Sequence, residues 1–226
     1  MIFIIGIVSF IFVLGPLTQA EAKYRIDRVF GVKRTVVTSE GGVSYRDSSI
    51  VKNEQRTTNN DATPSGESFS NIKPKEDQIV PVSTDYGIVI EKINANAKII
   101  PAVNPANEKE YVAALTKGVA ESLGSTPPGQ PGNLYLFSHS TDAPWNIIRY
   151  NAIFYLLKEL EVGDRVIIFY RNIRYDYIVF DKNIALPGDI SYLTNRYENP
   201  VLTLQTCDPP GTLLNRLIIR AKLVNT

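Results

Sequence analysis

The sequence predicts a mainly β fold, a barrel or sandwich with a few helical insertions, preceded by an apolar N-terminal segment. Three observations carry that prediction. Short apolar runs of strand length recur from Tyr86 to Val224, and turn signals separate them. Only two stretches of that region have the composition or spacing of helices. The chain also holds 12 Tyr and 9 Phe, residue types that favour strands. Its 226 residues suit one domain plus appendages rather than two full domains. With 24 Lys+Arg against 23 Asp+Glu the net charge is +1, which argues against a protein that holds nucleic acid by bulk electrostatics. A single Cys excludes an internal disulfide framework and a Cys-rich zinc site, and a single His excludes a multi-histidine metal centre.

The elements follow in order. Residues 1–20 contain no charged side chain and are just long enough to cross a bilayer, which takes about 20 residues. They are expected to act as a signal-anchor, or as a signal peptide cleaved near the small-residue pattern Ala20-Glu21-Ala22. Lys23, Arg25, Arg28, Lys33 and Arg34 follow the run, and by the positive-inside rule they would hold the remainder in the cytoplasm. The chemistry below requires an exported domain, and that orientation is preferred here. Residues 21–77 form a juxtamembrane stretch and tether. From Asn53 to Glu76 only Ala62, Phe69 and Ile72 are apolar, too few to offset the entropy of ordering. Residues 24–52 are mixed and carry no clear assignment.

The folded domain is placed at 78–226. Tyr86–Ile93 and Ala97–Ile100 are expected strands. Asn104-Pro105 offers an N-cap and first helical position for a helix over Ala106–Lys117, and Gly118 stops it. Pro127–Gly132 is a loop, and Leu134–Ser138 a short apolar strand. Phe154, Leu157 and Leu160 recur at helical spacing within Asn151–Leu160. A hairpin, Arg165–Tyr170 and Ile173–Phe180, turns on Arg171-Asn172. A long loop, Asp181–Pro200, precedes the last strand pair, Val201–Thr206 and Arg216–Val224.

Three residues at strand ends stand out. Cys207 closes Thr203-Leu-Gln-Thr-Cys207, and strand alternation places it with Thr203 and Gln205 on the more polar face, opposite Leu202, Leu204 and Thr206. A lone free Cys is most often a buried structural residue, and position alone leaves the two readings balanced. His139 ends Leu134-Tyr-Leu-Phe-Ser-His139 and opens a polar loop. Alone it reads as an ordinary His, but a thiol becomes a useful nucleophile beside an imidazole, which can then protonate a leaving amine. Arg216 starts the last strand; if that strand pairs with the one before it, its guanidinium comes beside Cys207, where it could steady an oxyanion. On spacing alone a surface Arg is the stronger reading.

Taken together, these segments resemble the sortase family of cysteine transpeptidases. Thr203-Leu-Gln-Thr-Cys207 matches the family's T-L-x-T-C signature, and Arg216-Leu-Ile-Ile-Arg-Ala221 matches the strand that follows it. Gly132-Asn-Leu-Tyr-Leu-Phe-Ser-His139 is similar to the segment around the catalytic His, with Ser138 where Gly is common. Lys117-Gly-Val-Ala120 and the Phe154–Asp164 run also look sortase-like, and the similarity extends from about Tyr86 to Val224, closest to class D or E. Glu121 stands where several classes carry a further His.

The resemblance implies a closed β-barrel of about eight strands with Cys207, His139 and Arg216 as catalytic residues and Thr206 and Leu204 as substrate-binding residues. It implies cleavage of an L-P-x-T-G-type C-terminal sorting motif between Thr and Gly through a Cys207 thioester, then transfer to an amine of a cell-wall precursor or a pilin Lys. The partners would be surface proteins bearing sorting signals, an amine acceptor and the membrane, with no nucleic acid. The catalytic domain would be extracytoplasmic on a single-pass anchor. No cofactor is predicted; some sortases use calcium, but no acidic cluster in this sequence is dense enough to predict a site. The rival readings are a noncatalytic membrane-tethered β-module and an exported Cys-His peptidase. A papain-like order, Cys before His, is reversed here, and the Ser-x-Gly-Cys-type motif of L,D-transpeptidases is absent.

Overall fold

The computed structural model describes residues 19–37, 77–140 and 153–224. Eight strands close into a barrel: β3 (Tyr86–Ile90), β4 (Ala95–Val103), β5 (Val119–Ser122), β6 (Gly132–Phe137), β7 (Arg165–Tyr170), β8 (Ile173–Ala185), β9 (Pro200–Asp208) and β10 (Asn215–Leu223). Around the barrel the order is β10-β8-β7-β3-β4-β5-β6-β9, with β6–β9 and β4–β5 parallel and the other neighbours antiparallel. The sequence left barrel and sandwich open, and closure settles it for the barrel. β1 (Thr35–Val36) and β2 (Gln78–Ile79) form a separate parallel pair.

Alternation decides what fills the interior. Ile88, Ile90, Leu134, Leu136, Val166, Ile168, Leu202, Leu204 and Ile219 point inward, and each is buried. Each such side chain contributes roughly 1.5–3 kcal/mol on leaving water, which makes this interior the main source of stability. Phe154, Leu157 and Leu160 seal it from one end; all three are fully buried. Leu157 lies in a 3-10 helix, Tyr155–Glu159, rather than an α-helix, and Phe154 and Leu160 are its two caps. A strict spacing of three suits three residues per turn.

Other boundaries move for identifiable reasons. The α-helix, α1, spans Glu108–Leu115, and its N-cap is Asn107, whose side chain accepts from Glu110 N–H, not Asn104. Asn104 instead accepts from Ala106 N–H, and its own N–H donates to Glu110 Oε1. Gly118 is required by a close approach: a Cβ there would lie 2.2 Å from the Lys98 carbonyl oxygen. The first strand stops at Ile90, and Glu91–Ile93 is a 3-10 turn ending on Asn94 at φ 52°. The hairpin turn falls on Arg171 and Asn172, both with positive φ (52° and 61°), which matches the twist of the flanking strands. β8 continues through Asp181–Ala185, residues expected in a loop. The remaining connection to β9 contains only a short helix, α2 (Ser191–Thr194).

Residues 19–29, which run from the end of the apolar segment into the unassigned stretch at 24–52, are helical. Tyr24 from this segment packs against the main core, and Val36 of β1 is buried with Ile79, Val89, Ile167 and Phe169. Among the described residues no helix is long and apolar enough to cross a membrane. Residues 1–18 of the apolar segment and the whole tether at 53–76 lie outside the described residues.

Candidate active site

The site is built from three adjacent strands, with β9 between β6 and β10. Across β9–β10, Cys207 pairs directly with Arg216. On the other side β6 runs parallel to β9 with Phe137 opposite Gln205. Ser138 N–H still bonds to the Gln205 carbonyl, so His139, two residues past Phe137, leaves β6 beside the end of β9 that carries Cys207. Neighbouring strands lie about 4.8 Å apart, so the thiol and guanidinium start from paired backbone positions one strand spacing apart, and the imidazole starts just past the end of the adjacent strand. All three side chains line a single groove of about 440 Å³.

The β6–β9 register is held beyond the end of the regular ladder. Ser138 N–H donates to the Gln205 carbonyl at 3.1 Å, and Thr206 Oγ1 donates to the Ser138 carbonyl at 2.9 Å. Thr206 is 3% exposed and Ser138 6%, so these bonds operate away from water. They fix the backbone from which His139 leaves the sheet. Deeper in the same pair, Thr203 Oγ1 donates to Asn133 Oδ1 at 2.8 Å, and Asn133 Nδ2 donates to the Tyr192 carbonyl at 2.9 Å. That chain ties both strands to the 186–199 connection. Both signature threonines therefore point to backbone and core partners.

Cys207 is half-buried, and burial pushes its thiol up while the Arg216 guanidinium draws it down, with burial the larger effect. The thiolate is accordingly the minor form near neutral pH until another group assists. One arm of Arg216 bonds to the carbonyls of Asn215 (3.0 Å) and Leu213 (3.4 Å), which turns its plane along the β9–β10 connection. Ala185 of β8 supports the other side of Arg216 in the sheet.

The groove floor is apolar. Tyr135 and Phe137 of β6 join Leu115 and Ala114 of α1 in a second buried cluster outside the barrel, with Tyr111 and Leu193 against it. Pro187, Asp189 and Ile190 add the wall contributed by the connection before β9. The Tyr135 hydroxyl donates to Gln205 Oε1. Burial holds the Tyr135 phenol well above its ordinary range, which keeps it a neutral donor. Sequence reasoning missed Tyr135, Gln205 and this floor. The available signal was Leu134–Phe137, an unbroken apolar run that marks a strand covered on both faces.

Leu204 requires a correction. It is 0% exposed inside the barrel and does not reach the groove. Thr206 shares its inward parity but lies at the barrel's end, where it lines the groove while donating to Ser138. Glu121 also faces a partner rather than the groove: the Tyr86 hydroxyl donates to its Oε2 at 2.9 Å, and burial raises its carboxyl. Asp208 ends β9, and Asp142 lies outside the described residues. Among the described residues no three His, Cys, Asp or Glu side chains converge to hold a metal ion.

Comparison with known proteins agrees with this architecture. The family model described as Sortase domain matches residues 88–224, more than half the chain. Sortase C-1 from Actinomyces oris is 23% identical, with a TM-score of 0.54 over 64% of this chain and 76% of that one. A lid mutant of sortase A from Corynebacterium diphtheriae is 26% identical, with a TM-score of 0.52 over 64% and 72%. A sortase D5 transpeptidase from Clostridium perfringens is 23% identical, with a TM-score of 0.51 over 62% and 78%. The likeness is spread across sortases A, C and D and assigns no subclass. No curated protein matches significantly.

Proposed function

The chain belongs to the sortase family of cysteine transpeptidases, and from that premise we propose that Cys207, His139 and Arg216 carry out transpeptidation on an L-P-x-T-G-type sorting motif. The observation that supports this most is that His139, just past β6, lines one groove with the paired Cys207 and Arg216 of β9 and β10.

In this reading the Cys207 sulfur, as thiolate, attacks the carbonyl carbon of the motif's Thr. A C–S bond forms, and the oxyanion is met by donors of the Arg216 fork. The C–N bond to Gly then breaks, and the proton held by His139 passes to the departing amine. The thioester stores the acyl group. An acceptor amine attacks it and gives its proton to His139, the new amide forms, and the Cys207 thiolate is released. The acceptor would be an amine of a cell-wall precursor or a Lys of a pilin-like subunit. The apolar floor of Tyr135, Phe137, Leu115 and Leu193 suits the Leu and Pro of such a motif, because it offers area and few hydrogen bonds. The domain would work outside the cytoplasm, held at the membrane by residues 1–20.

The test is mass spectrometry on the full chain in detergent with a pool of L-P-x-T-G-type peptides and an amine acceptor, beside Cys207→Ala. Cleavage after Thr with an amine-joined product, absent from the Ala variant, is the expected result. Product formation by the Ala variant would overturn the assignment of Cys207. Peptide cleavage to the free acid alone, with every acceptor tried, would favour the peptidase reading.

A further inference from the structure

The helix over residues 19–29 has two faces of different character. One is docked on the barrel: Tyr24 packs against the core and Glu21 Oε2 lies 3.7 Å from Lys158 Nζ, while within the arm Asp27 Oδ2 lies 2.5 Å from Arg34 Nη2. The β1–β2 pairing just beyond it fixes the arm at a second point. The other face carries Ile26, Val29 and Phe30 at i, i+3, i+4 spacing, and they are 55%, 81% and 77% exposed. Val32 is 42% exposed beside them.

Lys23, Arg25, Arg28 and Lys33 surround this stripe and are all exposed. The nearby carboxylates, Glu21 and Asp27, are engaged with Arg25, Lys158 and Arg34. The outward face therefore combines apolar bulk with a positive rim. In the chain it follows the uncharged run of residues 1–20 directly. A surface of that composition, next to such a run, matches the interfacial layer of a bilayer with anionic headgroups, where apolar side chains enter among the lipids and cations meet phosphates.

We propose that the Ile26–Val29–Phe30 stripe seats in the headgroup layer of an anionic membrane and, because its opposite face is docked, sets the orientation of the barrel and its groove above that membrane. The tether at 53–76 then does not govern the groove's direction, since the arm before it is already fixed to the barrel. The proposal rests on the membrane-anchoring part of the function above and adds a contact surface and an orientation to it.

The lone Cys makes a direct test available. In full-length Cys207→Ala, single nitroxide labels are placed at Val29→Cys, at Val13→Cys within the apolar run, and at Leu123→Cys, an exposed barrel position. The protein is reconstituted in vesicles containing phosphatidylglycerol, and power-saturation measurements compare access of oxygen with that of a nickel chelate. The expected result is an oxygen-to-nickel ratio several-fold higher at positions 13 and 29 than at 123. The ratio at 29 should drop several-fold in purely zwitterionic vesicles. A label at 13 in lipid with 29 behaving like 123 would overturn the stripe proposal alone. A water-exposed label at 13 would overturn the anchoring reading and the proposal with it. Dipolar broadening at 29 would assign the stripe to a second copy of the chain. Equal lipid burial at 29 in both vesicle types would remove the role given to the cations.

Discussion

Replacing Thr206 by valine deletes one hydroxyl while nearly preserving shape, and the structure fixes where the effect should appear. Thr206 Oγ1 donates to the Ser138 carbonyl at 2.9 Å between residues 3% and 6% exposed, so water cannot easily replace the bond. Stripping a partner from a buried carbonyl costs about 1–3 kcal/mol. The added apolar group returns up to about 0.8 kcal/mol. With that return in full the net loss is about 0.2–2 kcal/mol, equivalent to a fall in Tm of up to roughly 8 °C for a domain of this size. The catalytic effect should be larger in proportion, because Ser138 is the last residue held to β9 before His139. A displacement on the order of 1 Å can cost about 100-fold in rate. Turnover of the sorting peptide should therefore fall by about 10- to 100-fold. Thr206→Ser keeps the donor and should recover most of the turnover. Parental Tm and turnover in the valine variant would refute the reasoning. A lowered Tm with parental turnover would show that the bond supports the barrel but does not position His139.

Three further outcomes are expected. Arg216→Ala removes the charge that draws the Cys207 thiol down against burial, so the midpoint of iodoacetamide alkylation against pH should move to higher pH, and Arg216→Lys should move it back toward the parent; an unchanged midpoint in the Ala variant would refute the coupling. Glu121 has a raised carboxyl, so its charged form is disfavoured in the fold and its contribution to stability is present below its unfolded value and lost as pH rises through its folded value. Glu121→Gln should accordingly raise Tm relative to the parent at neutral pH, with the advantage shrinking in acid, and thermal melts across pH check this. Gly118→Ala places a Cβ 2.2 Å from the Lys98 carbonyl, a backbone atom that can yield only by parting β4 from β5, so a Tm loss of several degrees is expected in calorimetry.

The sequence carried the β-rich class and the pairing of the last two strands, because alternation and turn residues are local signals. It could not show that β8 runs on through Asp181–Ala185, since Asp181, Lys182 and Asn183 read as loop. In the fold they alternate between the two faces of β8, with Asp181 accepting from Arg220 Nε at 2.7 Å and Lys182 Nζ donating to the carbonyls of Lys158 and Leu160. Those partners are distant in sequence, so no window around residue 181 reveals them. The error at Leu204 has a different origin. Alternation separates two faces without saying which one is the interior, and the resemblance that implied a substrate contact for Leu204 carries no information on its burial. The helical arm at 19–29 was missed because its docked residues, Glu21 and Tyr24, include only one large apolar side chain, and its most apolar positions face out.

Parity is what makes a barrel edge suitable for this site. His139 emerges beside Cys207 because β6 and β9 run parallel with Phe137 opposite Gln205, and Cys207 meets Arg216 because β9 and β10 are antiparallel with those two residues opposed. Neither relation depends on a flexible loop. A slip of one residue in β6 would turn His139 toward the interior along with Tyr135 and Phe137, and it would also bring Leu134 and Leu136 out of the core. The core thus opposes any register that would break this arrangement. The weak point lies past Phe137, where the regular ladder ends and only the Ser138 bonds to Gln205 and Thr206 continue it. This gives the threonine beside the nucleophile a structural task that sequence position alone would not assign: it extends the register of the sheet by the residues needed to bring an imidazole beside a thiol.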